Sequence, residues 1–176
     1  TGEELVQRDP APGEVVETNG LTTASFVETW GGVPTYGSVV TDDESALANA
    51  IEGSCDHDIV VTTGGSSVGD RDLVPDVVDD LGELFVHDVD IKPGHPVGLG
   101  VVGDTAVLVL PGYPVSCIVN AVQFLRPAVH EVGRLPTPTF PTVEAELAVP
   151  IESAAGVRRF ARVTLDESAD GRTLAT

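Results

Sequence analysis

Three short segments rich in glycine and proline hold most of the residues able to handle a polyanion. They are Gly64-Gly65-Ser66-Ser67-Val68-Gly69-Asp70-Arg71-Asp72, Lys92-Pro93-Gly94-His95-Pro96 and Pro111-Gly112-Tyr113-Pro114-Val115-Ser116. Glycines let backbone N–H groups come close to an anion, and a helix starting just beyond adds a favourable dipole. Ser66, Ser67 and Ser116 supply hydroxyl donors. Asp70 and Asp72 stand two positions apart beside those donors. A hard cation such as Mg²⁺ takes carboxylate oxygen and bridges to phosphate, so both read as its ligands. Acids elsewhere in the chain read as solvated surface.

Lys92 is the only lysine in 176 residues, against 28 Asp plus Glu and a net charge of −19. One lysine must fall somewhere, and a turn is an ordinary place for it. Its position in a rigid Pro-Gly-Pro turn, between two other anion-type segments, reads instead as use.

Gly65-Ser66-Ser67-Val68-Gly69 also matches the G-x-S-x-G nucleophile elbow of hydrolases, with His95 or His130 as nominal partners. The elbow needs a helix directly after the serine, and Asp70, Asp72 and Pro75 interrupt that pattern. No glycine-rich oxyanion segment lies upstream. The hydrolase reading is set aside.

The elements that position these loops follow from apolar patterning and turn residues. Val15 and Val16 are extended, and Leu21 to Thr29 reads as a helix, with Asn19 near its start and Gly31-Gly32 at its end. Val33 to Val40 is strand-like. Asp42-Asp43-Glu44-Ser45 opens a helix to about Ile51, its acids suited to a helix N-terminus. Asp58 to Thr62 is a buried-type strand feeding the first glycine segment. A helix through Val77 to Leu81 and a strand from Leu84 to Ile91 lead to the Lys92 turn. Val97 to Val102 and Ala106 to Leu110 are two more strands, and Val115 to about Val132 is a long helix.

This alternation predicts an α/β domain over residues 1–135, in three layers around a mainly parallel sheet. In such sheets ligands sit beyond the carboxyl ends of the strands, where all three segments fall. Residues 136–141 read as a Pro-rich linker. Thr142 to Val149 and Phe160 to Leu165 read as strands of a partial, small β domain over 142–176. Nothing strand-like precedes Thr1, so the chain reads as a fragment of something longer.

Composition bounds the function. A pI near 4.2 argues against nucleic acid, whose phosphates need clustered Lys and Arg. No apolar run reaches the ~18 residues of a membrane span. Dispersed acids with almost no lysine resemble the surfaces of proteins from extreme halophiles, where salt screens self-repulsion. Cys55 and Cys117 lack metal-ligand spacing and read as free thiols of a reducing cytoplasm, with a disulfide between them as the lesser alternative.

The three segments in order, with Thr1-Gly2-Glu3-Glu4-Leu5, Thr18-Asn19 and Asp42-Asp43, resemble the successive motifs of the gephyrin-type molybdopterin molybdenumtransferases, the molybdenum insertases. The resemblance covers residues 1 to about 135 and is specific as an ordered set. It implies a molybdopterin-binding α/β domain and a Mg²⁺-assisted reaction. In that reaction adenylylated molybdopterin and molybdate give molybdenum cofactor and AMP. By motif position, Asp72 is the acid associated with cleaving the adenylate. Asn19, Gly64, Gly65, Ser66, Ser67, Gly69, Gly112 and Pro114 belong to the pterin-binding segments. Lys92, His95 and Ser116 line the molybdate site, with Arg158 or Arg159 as a further charge. A dianion needs positive charge and hydroxyl donors in a partly dry pocket. The family also implies a homo-oligomer and N-terminal domains that this chain lacks.

Two positions depart from the family pattern: His95 stands where the turn has a second lysine, and Tyr113 where it has asparagine. A histidine is only partly charged at neutral pH. Lysine at position 95 is therefore expected to strengthen molybdate binding more above neutral pH than below it. Two other readings fit the same fold. One is a non-catalytic pterin-binding or scaffolding module, and the other a CinA-like nucleotide pyrophosphatase.

Overall fold

A computed structural model describes residues 1–2, 4–64, 73–136 and 139–176. The elements run β1 (Leu5–Val6), β2 (Val15–Val16), α1 (Asn19–Thr29), α2 (Glu44–Glu52), β3 (Ile59–Thr63), α3 (Leu73–Leu81), β4 (Glu83–His87), β5 (Ile91–Lys92), β6 (Gly98–Val102) and β7 (Thr105–Leu110). A long helix follows in three pieces: α4 (Pro114–Asn120), a π-helical turn over Ala121–Leu125, and α5 (Arg126–Val132). Four short strands end the chain: β8 (Glu146–Leu147), β9 (Arg158–Arg159), β10 (Leu165–Glu167) and β11 (Thr173–Ala175).

The central sheet has the order β3-β7-β6-β4. Its two strands that carry the glycine segments, β3 and β7, are parallel neighbours in register from Ile59↔Ala106 to Thr63↔Leu110. Both therefore end at the same edge, and the loops beyond them must meet. Towards the other side the sheet turns antiparallel, β7 to β6 and β6 to β4. Parallel pairing recurs outside it, between β1 and β2, β5 and β9, and β8 and β11.

Side chains of a strand alternate between faces, and β7 shows how this builds the layers. Val107 and Val109 face a cluster with Leu47 and Ile51 of α2 and Val74, Val77 and Val78 of α3. Leu108 and Leu110 face the other way, into Cys117, Ala121, Leu125 and Val129, with Phe26, Val27 and Trp30 of α1 packed alongside. The result is the expected three layers, helix–sheet–helix. Each fully buried Val or Leu stabilises the fold by about 1.5–3 kcal/mol.

The helices follow from local chemistry. Asp43 caps α2, its carboxylate accepting from the Ala46 N–H at 2.8 Å and the Ser45 hydroxyl at 2.9 Å. In α3, Val74, Val77 and Val78 share the buried face while Asp76, Asp79 and Asp80 face solvent. Pro75 falls in the first turn, where no N–H is needed.

Several expectations are corrected. Val33 to Val40 forms no strand, and Val33 is 92% exposed. Among the described residues no strand pairs with it, and side chains hold the segment instead. Thr35 Oγ1 bonds His57 Nε2, and the Tyr36 hydroxyl donates to Glu17 at 2.5 Å. The strand expected from Leu84 to Ile91 breaks after His87, because Asp88 adopts a left-handed φ of +64° that ends an extended run. After Pro141, the expected Thr142–Val149 strand shrinks to Glu146–Leu147, and Phe160 to Thr164 lies outside any strand. Both cysteines are free and sit in separate apolar clusters. Among the described residues no helix is long and apolar enough to cross a membrane.

Candidate functional site

The ends of β3 and β7 bring two glycine turns into backbone contact. Gly64 is buried, with φ +85°, and its N–H donates to the Leu110 carbonyl at 3.0 Å. A Cβ on Gly112 would stand 3.2 Å from the Cα of Gly64, closer than packed side chains ordinarily come. Only glycine at 112 lets the turns lie this close without a shift. Asn19, the first residue of α1, joins them by donating from Nδ2 to the Gly112 carbonyl at 2.7 Å.

Beneath Asn19 the chain is fixed by Glu17, only 8% exposed. Its carboxylate accepts from the Gly20 N–H at 2.7 Å and from the Tyr36 hydroxyl at 2.5 Å. Burial, and then the bond to Glu17, push the Tyr36 phenol above its usual pKa, so it remains a donor at neutral pH. The start of α1 is thereby held by a side-chain network instead of an ordinary cap.

In the Lys92–Pro96 turn, the Lys92–Pro93 peptide is cis and Gly94 has φ +109°. Lys92 and His95 are exposed while Gly94 between them is buried. The His95 carbonyl accepts from the N–H groups of Val89 and Val97 at 3.0 and 2.9 Å. His95 Nδ1 lies 2.8 Å from the Val89 carbonyl. A carbonyl only accepts, so this nitrogen carries the proton. His95 Nε2 is 3.8 Å from one oxygen of Asp88, and His87 Nε2 is 4.0 Å from the other. At these separations the contacts are electrostatic and not hydrogen bonds. One carboxylate thus stands between two imidazoles.

Strand β9 docks on the same turn. It pairs with β5 in parallel, Ile91↔Arg158 and Lys92↔Arg159, and the Phe160 N–H donates to the Lys92 carbonyl at 2.8 Å. Partners in register project from the same face, so Arg159 stands beside Lys92. Arg159 also donates to the Glu152 carbonyl at 2.7 Å. In a chain of net charge −19, this pair concentrates positive charge locally.

Pro114 opens α4 and Ser116 lies in its first turn, half-buried. The third residue linking these pieces is Asn120, which is 0% exposed. Its Nδ2 donates to the Ser116 carbonyl at 2.9 Å and to the Gly94 carbonyl at 3.0 Å. Asn19, Gly64 and Gly112 are therefore assembled at one edge, and the Lys92 turn is fastened to the helix of Ser116. Gly65, Ser66, Ser67, Gly69, Asp70 and Asp72 lie outside the described residues. Among the described residues no cluster of three or more His, Cys, Asp or Glu side chains could hold a metal. Sequence reasoning missed Asn120, Asp88 and Glu17. Asn120 carried a signal, being a polar residue inside the apolar helical run Cys117-Ile118-Val119-Asn120-Ala121-Val122.

Comparison with known proteins gives a consistent result. A family model described as "Probable molybdopterin binding domain" matches residues 1–131. The chain is 32% identical over 179 residues to molybdopterin molybdenumtransferase 2 of Mycobacterium tuberculosis, covering 96% of this chain and 44% of that protein. It is 29% identical over 181 residues to molybdopterin molybdenumtransferase of Bacillus subtilis, covering all of this chain and 42% of that protein. A molybdopterin biosynthesis MoeA protein from Pyrococcus horikoshii superposes with TM-score 0.78 at 28% identity, over 99% of this chain and 43% of that one. A CinA protein from Thermoplasma acidophilum, at 18% identity and TM-score 0.58, shares the fold alone. The chain spans less than half the length of the curated relatives it matches.

Proposed function

Since the chain belongs to the molybdopterin-binding domain family, we propose that it is the pterin- and molybdate-binding part of a molybdenum insertase. The proposed reaction converts adenylylated molybdopterin and molybdate to molybdenum cofactor and AMP. One observation carries this reading. Two glycine turns from adjacent parallel strands are in backbone contact and bridged by Asn19, and the protein's only lysine lies on a turn fastened to the helix of Ser116.

Each part has a chemical role. The glycine turns and Asn19 form a surface on which backbone groups can reach pterin phosphate. Lys92, Arg159 and, when protonated, His95 supply positive charge to a molybdate dianion, and Ser116 a hydroxyl donor. Asp72 acts at the adenylate. Asp70 and Asp72 are hard oxygen donors of the kind Mg²⁺ prefers, so the donor set fits that ion. When bound, the ion supplies charge to neutralise phosphate oxygens.

Binding of adenylylated molybdopterin, measured in high-salt buffer with Mg²⁺, tests the proposal on wild type, Asp72→Ala and Lys92→Ala. Wild type is expected to bind and to release AMP only when molybdate is added, with each variant impaired. Binding without turnover would make this chain a non-catalytic binding module. Release of nucleotide without molybdate would favour a pyrophosphatase.

A further inference from the structure

We propose that Asn120 is a positioning residue, whose carboxamide locks the Lys92–Pro96 turn to the helix of Ser116 so that the two present one rigid surface to molybdate. The proposal rests on the reading of that turn as the molybdate site.

The geometry of the carboxamide is fixed by chemistry. Its Nδ2 faces two carbonyl oxygens, of Gly94 and Ser116, at 3.0 and 2.9 Å. Turning the amide over would set an oxygen against two oxygens, so only this orientation is stable. Both hydrogens of the amide are used, one towards each segment of the site. The contact is also tight from the turn's side: a Cβ on Gly94 would lie 2.2 Å from Asn120 Nδ2. The turn therefore rests on the amide itself, and no side chain fits between them.

The other half of the amide carries a cost. Asn120 Oδ1 is buried without a hydrogen-bond partner among the described residues. An unsatisfied buried acceptor is destabilising, and an apolar side chain would remove it only by taking the donor away from the Gly94 carbonyl. Its neighbours along the helix, Cys117 and Ala121, both belong to an apolar cluster. What asparagine adds there is its pair of donors. The helix also changes form at this point, with the π turn beginning at Ala121. Such turns often mark functional sites.

The test uses two variants that attack the contact from opposite sides. Asn120→Leu keeps the branching of the side chain and removes the donors, and Gly94→Ala drives a methyl group into the amide. Molybdate binding and adenylylated-molybdopterin binding are measured separately, with thermal midpoints and amide hydrogen exchange at Gly94 and His95. In both variants molybdate affinity is expected to fall about tenfold, while pterin affinity stays within roughly twofold. Exchange should quicken within residues 92–96. A merely structural amide would shift both affinities together, or neither, and either result overturns the proposal. If Asn120→Leu does not fold, Asn120→Ala carries the test, because it removes the donors without adding bulk and leaves the left-handed Gly94 in place. If wild type binds no molybdate, the reading of the site fails, and exchange decides the remaining claim. Faster exchange confined to the turn keeps the lock, and unchanged exchange removes it.

Discussion

Asn19 donates from Nδ2 to the carbonyl of Gly112 at 2.7 Å, joining residues 93 positions apart in the chain. The bond ties the start of α1 to the turn after β7. Its loss in Asn19→Ala is expected to cost about 1 kcal/mol of pterin binding, close to fivefold in affinity. The thermal midpoint should move little, because Asn19 lies outside both apolar clusters. Titration with adenylylated molybdopterin beside a melting curve measures both. An affinity equal to wild type would remove Asn19 from the site.

Gly112→Ala tests the contact between the turns. The new methyl group would meet the Cα of Gly64 at 3.2 Å, and backbone on both sides leaves little room to yield. Strain of about 1–2 kcal/mol is expected, with pterin binding lost as the turns part. Gly37→Ala is the control, since a Cβ there meets nothing within 4 Å. Equal behaviour of the two variants would argue that the close approach has no consequence.

Asp43 gives a pH dependence with a definite sign. The Ala46 N–H, and then the Ser45 hydroxyl, hold its carboxyl below the usual carboxylate pKa. A depressed folded value means that the cap stabilises above the unfolded carboxyl pKa of about 3.9 and fades as pH falls through the folded value. Asp43→Ala should therefore be less stable than wild type at neutral pH, and the gap should close in acid. Asp43→Asn supplies a cap that does not titrate, and this variant should keep its advantage over Asp43→Ala in acid. Denaturant midpoints for the three proteins across pH decide the matter.

The two thiols should differ sharply in reactivity. Burial pushes the Cys117 thiol up to about 11, against a small lowering from its hydrogen bond with Thr23. Cys55 is only half-buried. At pH 8 an alkylating reagent should modify Cys55 first and reach Cys117 only when the protein unfolds, because the thiolate is the reactive form. Peptide mass mapping after timed labelling gives the order directly. Rapid labelling of Cys117 in folded protein would contradict its packing against Leu125 and Ala121.

The legible parts of the sequence were those whose structure is decided locally. Strands β3 and β7 are short apolar runs, and α2 announces itself through Asp43. The loops that follow the strands were found because glycine and proline mark turns wherever they occur. What could not be read depends on partners distant in sequence. Val33 to Val40 has the composition of a strand but, among the described residues, no neighbour to complete a ladder, and its side chains bond to His57 and Glu17. Asp88 breaks an extended segment by a backbone conformation that asparagine and aspartate tolerate but do not announce. Asn120 was visible as a polar residue in an apolar helix. Its role depends on a carbonyl 26 residues earlier, which no local pattern reveals.

The pairing of β5 with β9 has a bearing on how this protein can be divided. Ile91 and Lys92 have one strand neighbour among the described residues, and it comes from beyond the proline-rich stretch at 136–141. A shortened chain ending at residue 135 would keep all three layers and both apolar clusters, and would melt as a cooperative unit. It would nevertheless leave the backbone of Lys92 without its cross-strand bonds and without Arg159 at its side. A well-folded truncation that handles anions poorly is the outcome to expect, and folding assays alone would not detect the defect.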